Sequence, residues 1–405
     1  MRTSLQGPLA DTAAGAIAED VLRACVHCGM CNATCPTFHL TGDEIDGPRG
    51  RIYLIKQALE GEPTSRLTQH HLDRCLSCRA CETTCPSGVE YHRLLDIGRA
   101  VVAARTSRPR GERLARWGLR TIAPHPGRLG PLVALGRAFR FALPASLARK
   151  LPRRTWAGPA PRGAAQRRMA LLAGCVQSVV ADHFNAATKR VFARVGVDLV
   201  ETRAVGCCGA LSFHADAPGE ARAMARRNID AWSRALDAGA EAIVVNASGC
   251  AAFIRDYPDI FCDEPQYADK ARRIAAVVRD PVEVLRDSAL TVDGEPREPR
   301  IAVHDPCTLR NGPGLAGAVA RLLASVGYDP RPVADPHLCC GSAGAYSLLQ
   351  PAFAGRLRAE KLAALTAGDP QAIYTANVGC WMHLSETSPV PVRHWIEAID
   401  DLIRP

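Results

Sequence analysis

Apolar side chains recur at the spacing of an α-helix along much of the first hundred residues. Between positions 36 and 74 they are Ile52, Leu54, Ile55, Ala58 and Leu59, and then Leu67 and Leu72. A further stretch of this kind runs from 91 to 105. Apolar positions that repeat every three to four residues form one face of a helix. We therefore expect an α-helical domain over residues 1–104.

Beyond residue 168, short apolar runs alternate with longer helical stretches. Residues 171–173 and 301–303 are such runs, and two more begin at Ala242 and Ala372. The pattern predicts buried strands alternating with helices, which form parallel sheets with binding sites at the carboxyl ends of the strands. The predicted order in each copy is strand, Cys, helix, Cys-Cys-Gly, helix, strand, Gly-Cys. The expected fold class is a helical domain followed by α/β units.

The α/β part is an internal repeat. Three cysteines recur at a displacement of 132 residues, and a Gly-Cys pair at the end of an apolar run recurs at 130. A repeat of this length is the size of a small domain. We expect a first module over 169–290 and a second over 298–405, joined to the helical domain by a connector over 105–168.

Composition places the protein among globular chains. It has 405 residues, 47% of them hydrophobic, with 33 Gly and 29 Pro, so it is neither disordered nor collagen-like. Residues 1–20 contain no apolar run that resembles a signal-peptide core, and we expect a cytoplasmic protein. In a reducing compartment, the 17 cysteines are expected to be metal ligands or redox groups, not disulfides.

Eight cysteines form two copies of the pattern C-x2-C-x2-C-x3-C-P. They are Cys25, Cys28, Cys31 and Cys35, and then Cys75, Cys78, Cys81 and Cys85. This spacing is typical of [4Fe–4S] ligation in bacterial ferredoxins, where the fourth cysteine of each run binds the other cluster. We therefore assign Cys25, Cys28, Cys31 and Cys85 to cluster 1, and Cys75, Cys78, Cys81 and Cys35 to cluster 2. Zinc also takes four thiolates, but from paired knuckles, which fit these triplets poorly.

Eight further cysteines belong to the repeat. They are Cys175, Cys207, Cys208 and Cys250 in the first module, and Cys307, Cys339, Cys340 and Cys380 in the second. A glycine follows each Cys-Cys pair and suits a tight turn or a close approach to a ligand. These sets predict further iron–sulfur or zinc sites, or redox-active thiol pairs, and the spacing does not choose among them. Cys262 falls outside every pattern and is given no role.

The formal charge of +9 is local in origin. The connector carries sixteen Lys and Arg against one Glu, a net +15, and the rest of the chain is net −6. Apolar residues such as Leu114, Trp117, Leu135 and Phe141 interleave with the arginines. The pattern fits docking to acidic partner subunits or contact with an anionic membrane surface. A solvated linker is a third interpretation. Binding of nucleic acid is not expected, because no recognition motif accompanies the charge.

Over nearly all of its length the chain resembles the iron–sulfur subunits of glycolate oxidase. The resemblance lies in the twin ferredoxin motifs, the segment Asp46-Gly-Pro-Arg-Gly-Arg-Ile-Tyr-Leu-Ile-Lys56, and the two Cys-Cys-Gly modules. It implies a complex in which FAD-bearing subunits oxidise glycolate, or D-lactate, and this chain passes the electrons toward a quinone. The implied place is the cytoplasm, with peripheral contact on the inner membrane. Similar modules occur in anaerobic glycerol-3-phosphate dehydrogenase and in heterodisulfide reductase, so a glycerol-3-phosphate subunit and a thiol–disulfide reductase are the alternatives.

Two departures from the related modules affect the predicted sites. Modules of this kind that hold a non-cubane cluster end in Cys-x2-Cys, whereas Phe253 and His383 occupy the second position here. His383 is a candidate substitute ligand, with His304 and His214 as nearby alternatives that more often serve structure. No G-x-G-x-x-G follows a predicted strand, so hydride chemistry is expected on a flavin partner.

Overall fold

The computed structural model describes residues 1–152, 155–159 and 166–403. Its first part is helical, with short 3-10 turns at Met30–Thr34 and Glu44–Asp46. The helices are α1 (Ala13–Ala24), α2 (Pro36–Thr41), α3 (Pro48–Leu59), α4 (Arg66–Asp73), α5 (Ala80–Thr83) and α6 (Tyr91–Arg105). The helices predicted between the two cysteine motifs and over 91–105 are confirmed.

Local signals explain where these helices begin. The Thr12 side chain caps α1, Ser65 forms a capping box at the start of α4, and Pro48 occupies the first turn of α3. Such caps satisfy amide groups that would otherwise lack partners at a helix N-terminus. The apolar faces meet in a core that includes the fully buried Leu22 and Ile55. The core holds the two cysteine motifs against each other.

The connector is also helical where the structure describes it. It contains α7 (Arg110–Ile122), α8 (Pro126–Ala138), a 3-10 turn at Arg140–Ala142 and α9 (Ala145–Lys150). Arg153, Arg154 and Arg162, counted in its predicted charge, lie outside the described residues. Val133 of α8 packs against Val180 and Phe184 of the first module. Helix α8 of the connector therefore packs against the first module.

The first α/β module is a four-stranded parallel sheet in the order β2-β1-β3-β4. Its elements are β1 (Arg167–Leu171), α10 (Gln177–Val180), α11 (Asp182–Arg194), β2 (Val197–Glu201), α12 (Ala210–His214), α13 (Pro218–Asp237), β3 (Ile243–Val244), α14 (Ser248–Arg255), α15 (Tyr257–Ile260), α16 (Pro265–Val277), β4 (Val278–Arg279) and α17 (Pro281–Leu285).

The second module repeats this topology, with strands in the order β6-β5-β7-β8. Its elements are β5 (Arg300–His304), α18 (Cys307–Arg310), α19 (Ala318–Ser325), β6 (Asp329–Pro330), α20 (Tyr346–Leu349), α21 (Pro351–Thr366), β7 (Ala372–Thr375), α22 (Val378–Ser385), β8 (Val392–His394) and α23 (Trp395–Ile403). The predicted fold class is confirmed. The four segment boundaries stay predictions.

The structure corrects three details of the predicted order. The strand expected at 171–173 lies at Arg167–Leu171, because its first two residues are exposed arginines that hide its start in the sequence. A strand, β2, separates the first helices from the Cys-Cys-Gly turn, and β4, β6 and β8 were not expected. Each Gly-Cys follows its strand as predicted, but it lies in the first turn of a helix, α14 or α22, that the predicted order did not include.

The two modules share one hydrophobic core. The C-terminal helix α23 of the second module packs on α11 of the first, with Trp395 fully buried. A bidentate ion pair joins the same helices, with Arg190 Nε and Nη2 at 2.7 and 2.6 Å from the two carboxylate oxygens of Asp400. The repeats therefore form one body with the cysteine-bearing loops held in fixed positions.

Candidate metal centres

The two ferredoxin motifs adopt the same backbone conformation. The third residue of each run has a positive φ, 60° at His27 and 53° at Ser77, and so does the fifth, 84° at Gly29 and 59° at Arg79. Left-handed residues alternating with right-handed ones turn successive amide N–H groups into a concave nest that suits an anionic group such as an iron–sulfur cluster. Side chains other than glycine adopt this conformation at a cost, so its repetition at matching positions indicates a common ligand.

Each motif surrounds a small cavity. We call the first centre 1, lined by Cys25, Cys28, Cys31 and Cys85. We call the second centre 2, lined by Cys75, Cys78, Cys81 and Cys35. The grouping in space is thus the crossed one, in which each run contributes its fourth cysteine to the other centre. Cys81, Pro48 and Tyr91 line both cavities, so the centres are immediate neighbours.

Sequence reasoning did not identify the arginine beside centre 2. Arg51 is 1% exposed and lines the cavity. Its Nε donates to the carbonyl of His71 at 2.7 Å, and its Nη1 donates to Thr37 Oγ1 at 3.0 Å. Its Nη2 forms no hydrogen bond among the described residues, but it lies 3.6 Å from Oδ1 of the buried Asp46, at ion-pair distance. Asp46 offsets part of the Arg51 charge, and a buried guanidinium with an N–H group that makes no hydrogen bond still fits an anionic cluster in this cavity.

The thiols themselves fit a metal-bearing group. Burial raises the pKa of Cys31 to about 11, and burial also raises the pKa of Cys25, Cys78 and Cys81. Neighbouring thiolate charges add to the effect in each case. Four such groups ionise together only when a positively charged metal centre compensates them.

The cysteines of the first module converge on one another. Cys175 Sγ donates to Cys207 Sγ at 3.2 Å, which lowers the pKa of Cys207 and raises that of Cys175. The contacts of Cys208 with Cys207 and with Cys250, together with burial, raise the pKa of Cys208. Phe253, at the position of the missing cysteine, packs against His214 with ring centres 5.9 Å apart. The module therefore brings four thiols together, and aromatic side chains occupy the position where related modules have a further cysteine.

The second module adds a histidine to its thiols. His304, Cys340 and Cys380 place one ligand atom each within 4.8 Å of one another, and all three residues are buried. Cys307 Sγ and Cys339 Sγ lie 4.0 Å apart beside them. His383 Nε2 instead lies 3.2 Å from the carbonyl oxygen of Ala354. Of the histidines considered from the sequence, the structure therefore brings His304 to the thiols.

The second module also contacts centre 2 directly. Cys78 belongs to the same apolar cluster as Cys339 and Tyr346, with Cys307 packed at its edge. Asn311 Nδ2 donates to the carbonyl of Cys78 at 2.7 Å, and Tyr346 Oη donates to that of Arg74 at 3.1 Å. The sequence contained no signal for this contact, which places the second cysteine set beside a ferredoxin ligand.

Part of the connector's positive charge is neutralised inside the protein. Arg108 forms ion pairs with Asp73 and Asp216. Arg116 lies 3.4 Å from Asp73 and 3.6 Å from Asp216. Arg120, Lys150 and Arg167 also lie within ion-pair distance of carboxylates, so the predicted docking charge is smaller than +15. Among the described residues, we find no helix with the length and apolar character of a membrane span.

Comparison with known proteins agrees with this architecture. Residues 21–89 match the 4Fe-4S dicluster domain family, and residues 169–255 and 301–385 match the cysteine-rich domain family. These matches identify iron–sulfur clusters as the cofactors of the chain.

Relatives cover the whole molecule. The glycolate oxidase iron-sulfur subunit of Escherichia coli is 47% identical over 404 residues, 100% of this chain and 99% of that protein. The probable glycolate oxidase iron-sulfur subunit of Bacillus subtilis is 31% identical over 90% of this chain and 89% of its own. Lactate utilization protein A of Bacillus licheniformis is 24% identical over 58% of this chain and 99% of its own. With its two adjacent cysteine-lined centres, its paired modules and this end-to-end similarity, the chain belongs to the family of glycolate oxidase iron–sulfur subunits.

Proposed function

We propose that this chain is the electron-transfer subunit of a complex that oxidises glycolate to glyoxylate, with D-lactate as a further substrate. Electrons would come from FAD-bearing partner subunits and leave toward a quinone. The observation that carries the proposal is the pair of adjacent centres with Cys81 and Tyr91 in their common wall. Clusters transfer single electrons, whereas a hydroxy acid releases two, so a flavin partner fits the chemistry.

We assign the ligands as the cavities group them. Cys25, Cys28, Cys31 and Cys85 hold one [4Fe–4S] cluster, and Cys75, Cys78, Cys81 and Cys35 hold the other. The repeat cysteines, with His304 in the second module, are assigned to an additional iron–sulfur or zinc site. Bound clusters supply one-electron carriers, and this chain's contribution is to hold them close together and to surround them with compensating charge such as Arg51.

Centre 1 is the better placed for electron entry. Cys28 is exposed, as are the neighbouring apolar side chains of Val26, Met30 and Tyr53. Centre 2 is covered by the second module and its Cys78 is buried. An exposed redox centre with apolar neighbours suits a docked partner subunit.

Peripheral contact with the inner membrane is assigned to the connector. Phe139 and Phe141 are 53% and 86% exposed, and Leu132 and Leu135 of α8 are also exposed. Apolar side chains among arginines bind anionic lipid surfaces by burial plus charge attraction. Co-sedimentation with vesicles of anionic and of neutral phospholipid tests this, and equal recovery from the supernatant in both mixtures would contradict it.

The central experiment is reconstitution with candidate FAD-bearing subunits. We expect the complex to reduce ferricyanide with glycolate, to contain about eight iron in the two ferredoxin centres per copy of this chain, and to lose colour on reduction. Activity with glycerol-3-phosphate and none with either hydroxy acid would favour the alternative substrate. A colourless protein loaded with zinc would contradict electron transfer altogether.

A further inference from the structure

A large cavity lies between the helical domain, the connector and the first module. It has a volume of about 1130 Å³ and is lined from α1, α6 and α7 on one side and from α12 and α15 on the other. Pockets for small organic ligands commonly enclose 300 to about 1,000 Å³. The space is sufficient for a ring-bearing ligand with part of an aliphatic tail.

Only single side chains separate this cavity from centre 2. His92 lines both of them. Arg99 also lines the cavity, and its Nη2 and Nη1 donate to the Cys75 carbonyl at 2.8 Å and to Ser77 Oγ at 3.0 Å. A ligand in the cavity would therefore lie next to the ligand loop of centre 2.

The lining favours an uncharged ligand. Its walls include the apolar side chains of Ile97, Val101, Leu114, Trp117 and Phe213. Many of its arginines already have carboxylate partners. Arg93 contacts Asp259 at 2.6 Å, and Arg108 and Arg116 share Asp73 and Asp216. Arg110 and Arg113, which have no such pair among the described residues, are exposed to solvent. Paired charges leave little attraction for a polyanion.

A protonatable carboxyl faces the same space. Asp96 lines the cavity and forms no hydrogen bond or ion pair among the residues that the structure describes. Burial raises its pKa to about 6. The nearby positive charges of Arg99, His92 and Arg79 lower the pKa, and the negative charge of Asp256 raises it, but burial has the largest effect. Near neutral pH, such a group exchanges protons readily.

We propose that this cavity binds the quinone ring of the electron acceptor, with Asp96 as its proton donor. The inference rests on the proposed function. Oxidation of one hydroxy acid to the oxo acid releases two electrons and two protons. One quinone takes up two electrons and two protons to become the quinol, so the reaction balances without another reactant. Asp96 regains its proton from water after each transfer.

The first test is direct labelling. The purified chain is illuminated with a short-chain azidoquinone, and its peptides are analysed by mass spectrometry. We expect the label on peptides from α6 and α7, with protection by excess unlabelled quinone. Protected labelling confined to other parts of the chain would overturn the proposal.

The second test fills the cavity. Ala103 lines it and is partly buried, so Ala103→Trp places an indole in the space, with Ala104→Phe as a milder variant. We expect quinone KM to rise about tenfold and labelling to fall, with glycolate:ferricyanide turnover unchanged. Ala16→Trp, at an exposed alanine of α1 outside the lining, is the matched control. Unchanged quinone KM and labelling in both cavity variants would overturn the proposal.

Asp96→Asn separates proton donation from binding. We expect quinone KM to be retained, while the quinone-linked kcat falls and no longer declines as pH rises through about 6, and the ferricyanide rate is unchanged. A pH profile like that of the unmodified complex would refute the role of Asp96. Failure of the unmodified complex to oxidise glycolate with ferricyanide would contradict the proposed function. The labelling result would still show whether the cavity binds a quinone.

Discussion

Arg51 reaches Cys35 through a single hydroxyl group. Its Nη1 donates to Thr37 Oγ1 at 3.0 Å, and that oxygen lies 3.3 Å from Cys35 Sγ. Because Arg51 is buried, its charge is not screened by water as a surface charge would be. The arginine is therefore placed to stabilise the more negative, reduced state of a cluster in centre 2.

Replacing Arg51 should change one reduction potential selectively. We expect Arg51→Met to lower the potential of cluster 2 by roughly 60 mV, a tenfold change for a one-electron couple, and Arg51→Lys to lower it less. Redox titration followed by electron paramagnetic resonance resolves the two clusters. Arg49→Met is the control, since Arg49 lines centre 1 but is partly exposed. A shift of both potentials by equal amounts would contradict the selective role.

The crossed ligand assignment predicts which cluster each fourth cysteine affects. Cys35→Ser should alter the spectrum of the cluster held by Cys75, Cys78 and Cys81, although Cys35 follows the other triplet in sequence. Cys85→Ser should alter the remaining cluster in the same way. Loss of iron is expected to stop at about four atoms in each variant. If Cys35→Ser perturbed the Cys25 cluster instead, the crossed assignment would be wrong.

The pair Arg190–Asp400 should be important for stability. Because it joins the two modules in a buried, bidentate geometry, Asp400→Ala leaves a buried guanidinium without its carboxylate. We expect a loss of about 3–5 kcal/mol in the free energy of unfolding, measured by chemical denaturation.

An exposed ion pair that begins on the same helix as Arg190, α11, is the control. Arg194 contacts Asp293 at the surface, and Arg194→Ala should cost less than about 1 kcal/mol. Equal losses of unfolding free energy in the two variants would show that the buried ion pair stabilises the protein no more than the exposed one.

The buried carboxyl of Asp280 predicts a pH dependence of stability. Burial raises its pKa to about 7 from an ordinary value of 3.8. The folded protein then holds a proton that the unfolded chain has lost between these two pH values, so stability contributed by this group declines as pH rises from 4 to about 7.

Asp280→Asn should remove that decline while keeping the helix cap. Oδ1 of Asp280 accepts from the Val282 amide at 3.0 Å, and Asn retains this acceptor without the buried charge. Melting temperatures of the variant and the unmodified protein, measured from pH 4 to 8, should therefore diverge most at the alkaline end. If the melting temperatures of the two proteins changed with pH in parallel, the raised pKa of Asp280 would not be the cause of the decline. Asp293→Asn, at an exposed site, serves as the control.

Much of the site was predictable because its determinants are local. The C-x2-C-x2-C-x3-C-P spacing itself requires a tight loop, and the structure shows matching positive φ angles at His27 and Ser77. The helix over 91–105 follows from its own apolar periodicity. Strand β1 was misplaced because Arg167 and Arg168, although in the sheet, are exposed. Strands such as β4 are two residues long and carry too little pattern to be recognised.

The sequence by itself determined the cysteine motifs, the internal repeat and the helical character of the first domain, because spacing and periodicity express constraints between neighbouring residues. Only the tertiary structure decided that Arg51 lies at centre 2, that Asn311 holds the second module against Cys78, and that the connector's arginines pair with Asp73 and Asp216. These contacts join residues that are distant along the chain. They form only when separate elements bury their apolar faces together, and a linear pattern contains no record of that packing.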